Sequence, residues 1–130
     1  MNYFVTGATG FIGGHLVKRL LARQGTVYAL VRKGSEKKLA ALRDRLGVGK
    51  DRLVSVQGDL SKPGLGVSKQ KRAQLSGEIT HVFHLAALYD IADEDNDAAT
   101  RANVDGTRHA VQFAQSVGAK CFHHMSSIAA

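Results

Sequence analysis

The segment Val5-Thr6-Gly7-Ala8-Thr9-Gly10-Phe11-Ile12-Gly13 constrains this chain most, because it joins the first apolar run to the first amphipathic run through glycines three residues apart. Residues 2–6 read as a short buried strand. Residues 11–24 read as a helix with Ile12, Leu16, Val17, Leu20 and Leu21 along one stripe. Gly7 permits a tight turn out of the strand, Gly10 lets the backbone approach a pyrophosphate, and Gly13 lets the helix pack close to the sheet. The unpaired N–H groups of the helix's first turn, near Thr9 to Ile12, point outward, where the positive end of the macrodipole favours phosphate. Three spaced glycines alone mean only a strand-to-helix turn. Set between a strand and a helix, they read as a dinucleotide phosphate cradle made by Thr6, Gly7, Thr9, Gly10, Phe11, Ile12 and Gly13.

The rest of the chain repeats the alternation. Residues 26–31 form a β-rich run, and residues 35–46 place Leu39, Leu42 and Leu46 at helical spacing behind Ser35 as a cap. A third strand is expected at 53–57, a loop at 61–67 around Pro63, and a short basic helix at 68–75. A fourth strand at 80–85 leads through Ala86-Ala87-Leu88 to an acidic loop. A long helix from about 98 to 117, with Ala102, Ala110, Val111, Ala114 and Val117 on one face, precedes a fifth strand at 120–125. This pattern predicts an α/β fold: a Rossmann-type doubly wound parallel sheet, five strands in the order 3-2-1-4-5, in one domain over residues 1–130.

The net charge of +7 permits acidic ligands but names none. Its placement is more useful. Eight basic residues fall between Arg32 and Arg52, where the adenosine end of a dinucleotide would lie, while the stretch from Asp90 to Asp105 is strongly acidic. Most of these charges read as a solvated helix face. Aromatic residues are too sparse for a nucleic-acid stacking surface, so no specific nucleic-acid partner is expected. The chain shows neither a signal-like start nor an apolar run of about eighteen residues, which predicts a cytoplasmic protein without a transmembrane segment. Cys121, the single cysteine, reads as a buried strand residue.

An NAD site usually places an acidic residue after the second strand to bind the ribose 2′-hydroxyl. Here Val31-Arg32-Lys33 stands there. Arg32 can hold a 2′-phosphate bidentately, and Lys33 or Lys38 can add charge, so NADP(H) is the expected cofactor. Arg32 on a solvated strand end is the plainer alternative. Asp59 either accepts from the adenine amino group or caps the turn before Pro63. The histidines suggest no metal site: His123 and His124 are adjacent on a strand and point to opposite faces, as do His81 and His84.

Five motifs in order resemble the extended short-chain dehydrogenases/reductases: T-G-A-T-G-F-I-G at 6–13, G-D-L at 58–60, H-L-A-A at 84–87, N-V-D-G-T at 103–107 and M-S-S at 125–127. The ending H-H-M-S-S-I-A-A is most similar to bacterial reductases of fatty acyl thioesters and fatty aldehydes. The resemblance implies that Gly7, Gly10, Phe11 and Ile12 contact the pyrophosphate, Arg32 the 2′-phosphate, and Asp59 and Leu60 the adenine. It further implies that Ala86 and Ala87 line the nicotinamide ribose, with Leu88 and Asn103 as additional cofactor-binding candidates. Ser127 corresponds to the catalytic serine, which hydrogen-bonds the substrate carbonyl, with Ser126 as a neighbour or cofactor contact. Without the resemblance, two serines at a strand end are ordinary capping residues.

The family's general acid is the tyrosine of Y-x-x-x-K, and none of Tyr3, Tyr28 and Tyr89 has lysine four positions on. The chain is therefore expected to be the N-terminal cofactor half of a longer reductase, ending after the fifth strand and inactive alone. Self-association through the exposed edge strand is also expected. The favoured substrate is a small-molecule acyl thioester or aldehyde. The alternatives are a nucleotide-sugar, steroid or flavonoid carbonyl, or a non-catalytic NADP sensor.

Overall fold

Apolar residues without polar alternation mark strands buried on both faces, and the first strand, β1 (Tyr3–Thr6), is buried at all four positions. It lies at the centre of one parallel sheet with β2 (Val27–Val31), β3 (Leu53–Gln57), β4 (His81–His84) and β5 (Cys121–His124). The order is β3-β2-β1-β4-β5, as the alternating pattern predicts. The computed structural model describes residues 1–85 and 96–125, with the backbone alone over 96–103. Register is set by Tyr3 lying opposite both Val27 and His81, and by His81 opposite Cys121.

Strand alternation divides the core in two. Tyr3, Val5, Val27, Ala29 and Leu53 point to the face covered by α1 (Phe11–Leu21) and α2 (Glu36–Leu46), where Val17, Leu20, Leu39 and Leu42 meet them. Phe4, Val56 and Val82 point to the other face, which is packed by α3 (Lys69–Leu75) and α4 (Asn96–Ser116) through Leu75, Ala110, Phe113 and Val117. Phe113, absent from the expected helical stripe, is fully buried, with its ring centroid 4.4 Å from that of Phe4. The chain is doubly wound because each face receives its own helices.

Local chemistry explains the element ends, with some corrections. Ser68 caps α3 by accepting from the Lys71 N–H at 3.1 Å, whereas the Ser35 side chain makes no such bond to α2. Residues 63–66 form a 3-10 turn rather than plain loop, and Leu65 in it holds a left-handed φ of 60° while wholly buried. That conformation is unusual for a bulky residue, and burial of the side chain in the second core offsets it. Two residues of the basic stretch are structural. Arg52 donates to the carbonyls of Leu21, Arg23 and Gly25 at 2.9–3.0 Å, closing the C-terminal end of α1, and Arg43 donates to Leu53 O at 2.7 Å.

Ile12 and Cys121 depart from their expected places, since both are exposed. Ile12 sits in the first turn of α1, beyond the sheet end, so the buried stripe of the helix begins at Gly13 and runs through Gly14, Val17 and Leu20. Cys121 lies on the outermost described strand, on the α1 face, where no described helix reaches it.

Candidate functional site

At the C-terminal end of β1 the chain turns at Gly7, whose φ of 78° suits glycine, and the Gly10 N–H donates to Gly7 O at 3.1 Å. Gly13 is dictated by packing: a Cβ there would lie 1.9 Å from Gly7 O. Gly10 is different. Its φ is −76°, and a Cβ would meet only Gly7 O, at 3.4 Å, so the fold itself tolerates a side chain at this position. Gly10 is also the N-cap of α1 and supplies no side-chain cap, and the first turn holds no acidic residue. The loop thus has a glycine the backbone does not require and a helix start without a carboxylate, which is the chemistry an anion site needs. Thr9, Gly10, Phe11 and Ile12 are exposed there, whereas Thr6 is buried.

The ends of β2 and β3 open a cleft of about 620 Å³ lined by Arg32, Lys33, Asp59, Lys62 and Lys71, among others. It brings together three residues singled out by sequence and adds Lys62 and Lys71, which sequence reasoning missed because they precede and follow a turn of unknown geometry. Lys38 lies on exposed α2 and does not line it. Leu60 turns away too: it packs 3.7 Å from the Cβ position of Gly106, and its carbonyl accepts from His109 Nδ1 at 2.6 Å. Asp59 caps the turn through Oδ1, accepting from the Ser61 N–H at 2.9 Å and the Ser61 hydroxyl at 2.7 Å. Those bonds, with smaller help from Arg32 and Lys62, hold its carboxyl below the usual range. Gly58 before it is a packing glycine, since a Cβ would fall 2.3 Å from Leu65 O.

Behind the loop from Gly7 to Gly13, a polar network ties three elements. His84 on β4 places Nδ1 2.7 Å from Thr6 Oγ1 and Nε2 3.2 Å from Thr107 Oγ1, and the Leu85 N–H donates to Thr6 Oγ1 at 3.1 Å. A neutral ring satisfies both partners when Thr6 donates to Nδ1 and the Nε2–H donates to Thr107. Burial, and secondarily His124, lowers the His84 pKa to about 4, so the ring is neutral at physiological pH. The motif residues Thr6, His84 and Thr107 therefore join the end of β1, the end of β4 and helix α4. This is a role that reading each motif alone did not reveal.

On the opposite face of the same strands, His81, Cys121 and His123 come together. The within-strand comparison of histidines missed them because the gathering is across strands. Ala86, Ala87, Leu88, Ser126 and Ser127, and the side chain of Asn103, lie outside the described residues.

The chain is similar to known proteins along most of its length. A putative fatty acyl-CoA reductase of Drosophila melanogaster is 32% identical over 89% of the chain, which spans 26% of that protein. A putative dihydroflavonol 4-reductase of Synechocystis is 37% identical over 98% of the chain and 33% of its own length. The crystal structure of Gre2 from Candida albicans in complex with NADPH superposes with a TM-score of 0.78 at 28% identity, covering 98% of this chain and 37% of that one. The chain thus spans about a quarter to a third of these two curated relatives. Among the described residues, no helix is long and apolar enough to cross a membrane. Residues 5–130 match the NAD-binding family described as male sterility protein, so the chain belongs to that family, which is of the extended short-chain dehydrogenase/reductase type.

Proposed function

We propose that this chain is the NADP(H)-binding part of a longer reductase that delivers hydride to a carbonyl carbon, with a fatty acyl thioester or fatty aldehyde as substrate. The observation that carries the cofactor choice is the cleft beyond β2 and β3, where Arg32, Lys33, Lys62 and Lys71 gather and the β2 end itself bears no carboxylate. Among the described residues, Asp59 is the one acidic residue lining it, and its turn-capping bonds draw Oδ1 toward Ser61. NADPH, when bound, supplies the hydride. In this reading Gly10 and the first turn of α1 receive the pyrophosphate and Arg32 grips the 2′-phosphate. The Thr6–His84–Thr107 network holds the loop against the strand that leads to Ala86, Ala87 and Leu88. Ser127 orients the carbonyl and stabilises charge on its oxygen, while turnover requires the protein to carry the Y-x-x-x-K pair as proton donor.

The Drosophila relative supports the acyl substrate, and the Synechocystis relative, at higher identity, supports a flavonoid-like carbonyl as the second reading. The proposal also includes self-association through β5, whose outer edge has no strand partner among the described residues. The decisive test titrates NADPH and NADH into the full-length protein. NADPH binds more tightly, and Arg32→Ala weakens NADPH alone by roughly ten- to a hundredfold, or about 1.5 to 3 kcal/mol. Equal affinity for the two nucleotides, or equal loss of both in the variant, overturns the cofactor assignment. Turnover on a long-chain aldehyde compared with a dihydroflavonol then separates the two substrate readings.

A further inference from the structure

We infer that His81, Cys121 and His123 form a binding site for a divalent transition-metal cation, with Zn(II) the best match to the donor set. The inference stands apart from the choice of cofactor, since none of the three residues lines the basic cleft. Their ligand atoms all lie within 4.8 Å of one another. His81 Nδ1 and His123 Nε2 are 3.2 Å apart. A tetrahedral ion with Zn–N near 2.0–2.1 Å and Zn–S near 2.3 Å requires N···N edges of roughly 3.3 Å and N···S edges of roughly 3.6 Å. Small side-chain rotations therefore suffice.

The backbone makes this arrangement durable. The parallel ladder sets His81 directly opposite Cys121 and Phe83 opposite His123, so the three ligands share one face across two hydrogen-bonded strands. Phe83 stacks on the His123 ring at 4.4 Å with planes 10° apart, which fixes the ring's direction. Cys121 and His123 are exposed, leaving an open path for an ion. Two imidazoles and a thiol, with no carboxylate among them, select a borderline or soft metal over Mg²⁺ or Ca²⁺. Binding releases the thiol proton to solvent and leaves the fourth position to water.

The test titrates Co(II), then Zn(II) as competitor, into the reduced full-length protein. One equivalent of Co(II) produces a near-ultraviolet thiolate-to-cobalt charge-transfer band that Zn(II) bleaches. Cys121→Ser removes the band, and His123→Ala weakens binding by about tenfold or more, taking the loss of a second-shell partner as the lower bound. His124→Ala, one residue on but facing the other side, leaves it intact. Unchanged NADPH affinity in each variant shows that the fold is preserved. No band in the wild type, a band that survives Cys121→Ser, or an equal loss in His124→Ala overturns the site.

Discussion

Strands β4 and β5 carry the same residue type on both faces of the sheet, with opposite results. On the α4 face, His84 is 2% exposed, hydrogen-bonded at both ring nitrogens, and held neutral. On the α1 face, His81 and His123 lie against each other and against an exposed cysteine, with no described helix above Cys121. Sequence chemistry is similar in the two places; the cover differs. A helix overhead excludes water and forces every polar atom to find a partner, which makes a histidine a structural joint. An open face leaves donors available to an external ligand.

Removing the cover tests this contrast most severely. Phe113→Ala takes a fully buried ring from under α4 and should cost about 3–5 kcal/mol, whereas Phe83→Ala on the half-covered face should cost about 1 kcal/mol. Denaturant midpoints of the two variants measure the difference, and equal costs would remove the distinction between the faces.

Acid sharpens the comparison next. His84 has a folded pKa of about 4, below its ordinary 6.5, so the unfolded chain binds more protons between those values and stability falls as pH drops from about 7 toward 4. The full loss, over about 2.5 pKa units at about 1.4 kcal/mol each, is about 3 kcal/mol. His84→Gln should flatten that dependence while costing about 1–2 kcal/mol at pH 7, because the Thr6 and Thr107 hydroxyls lose well-placed partners. Melting curves at pH 7 and pH 5 provide the measurement, and an unchanged pH slope in the variant would show that other groups carry it. The smallest effect belongs to the open face. Cys121→Ser, at an exposed position, should shift metal-free stability by no more than about 0.5 kcal/mol.

Much of the architecture was legible in the residues because its signals are local. Apolar runs between glycine turns gave five strands, and the right-handed crossover rule left 3-2-1-4-5 as the simplest order. The errors arose where a neighbour distant in sequence decides. Ile12 belongs to the helical period yet lies past the sheet end, and Cys121 belongs to an apolar run yet occupies the outermost described strand. Distance along the chain also hid the contact of Leu60 with Gly106 of α4, and the arrival of Lys62 and Lys71 at the cleft beside the turn around Leu65.

The sequence by itself determined the strand–glycine–helix unit, the basic character after β2 and the family, since each depends on residues adjacent along the chain. Tertiary structure alone decided which atoms Gly13 packs against, the backbone of Gly7. It alone joined Thr6 and Thr107 through His84, and brought His81 to Cys121 and His123. Those relations depend on strand register and helix cover, which are set by packing between segments tens of residues apart and leave no periodic mark in the chain.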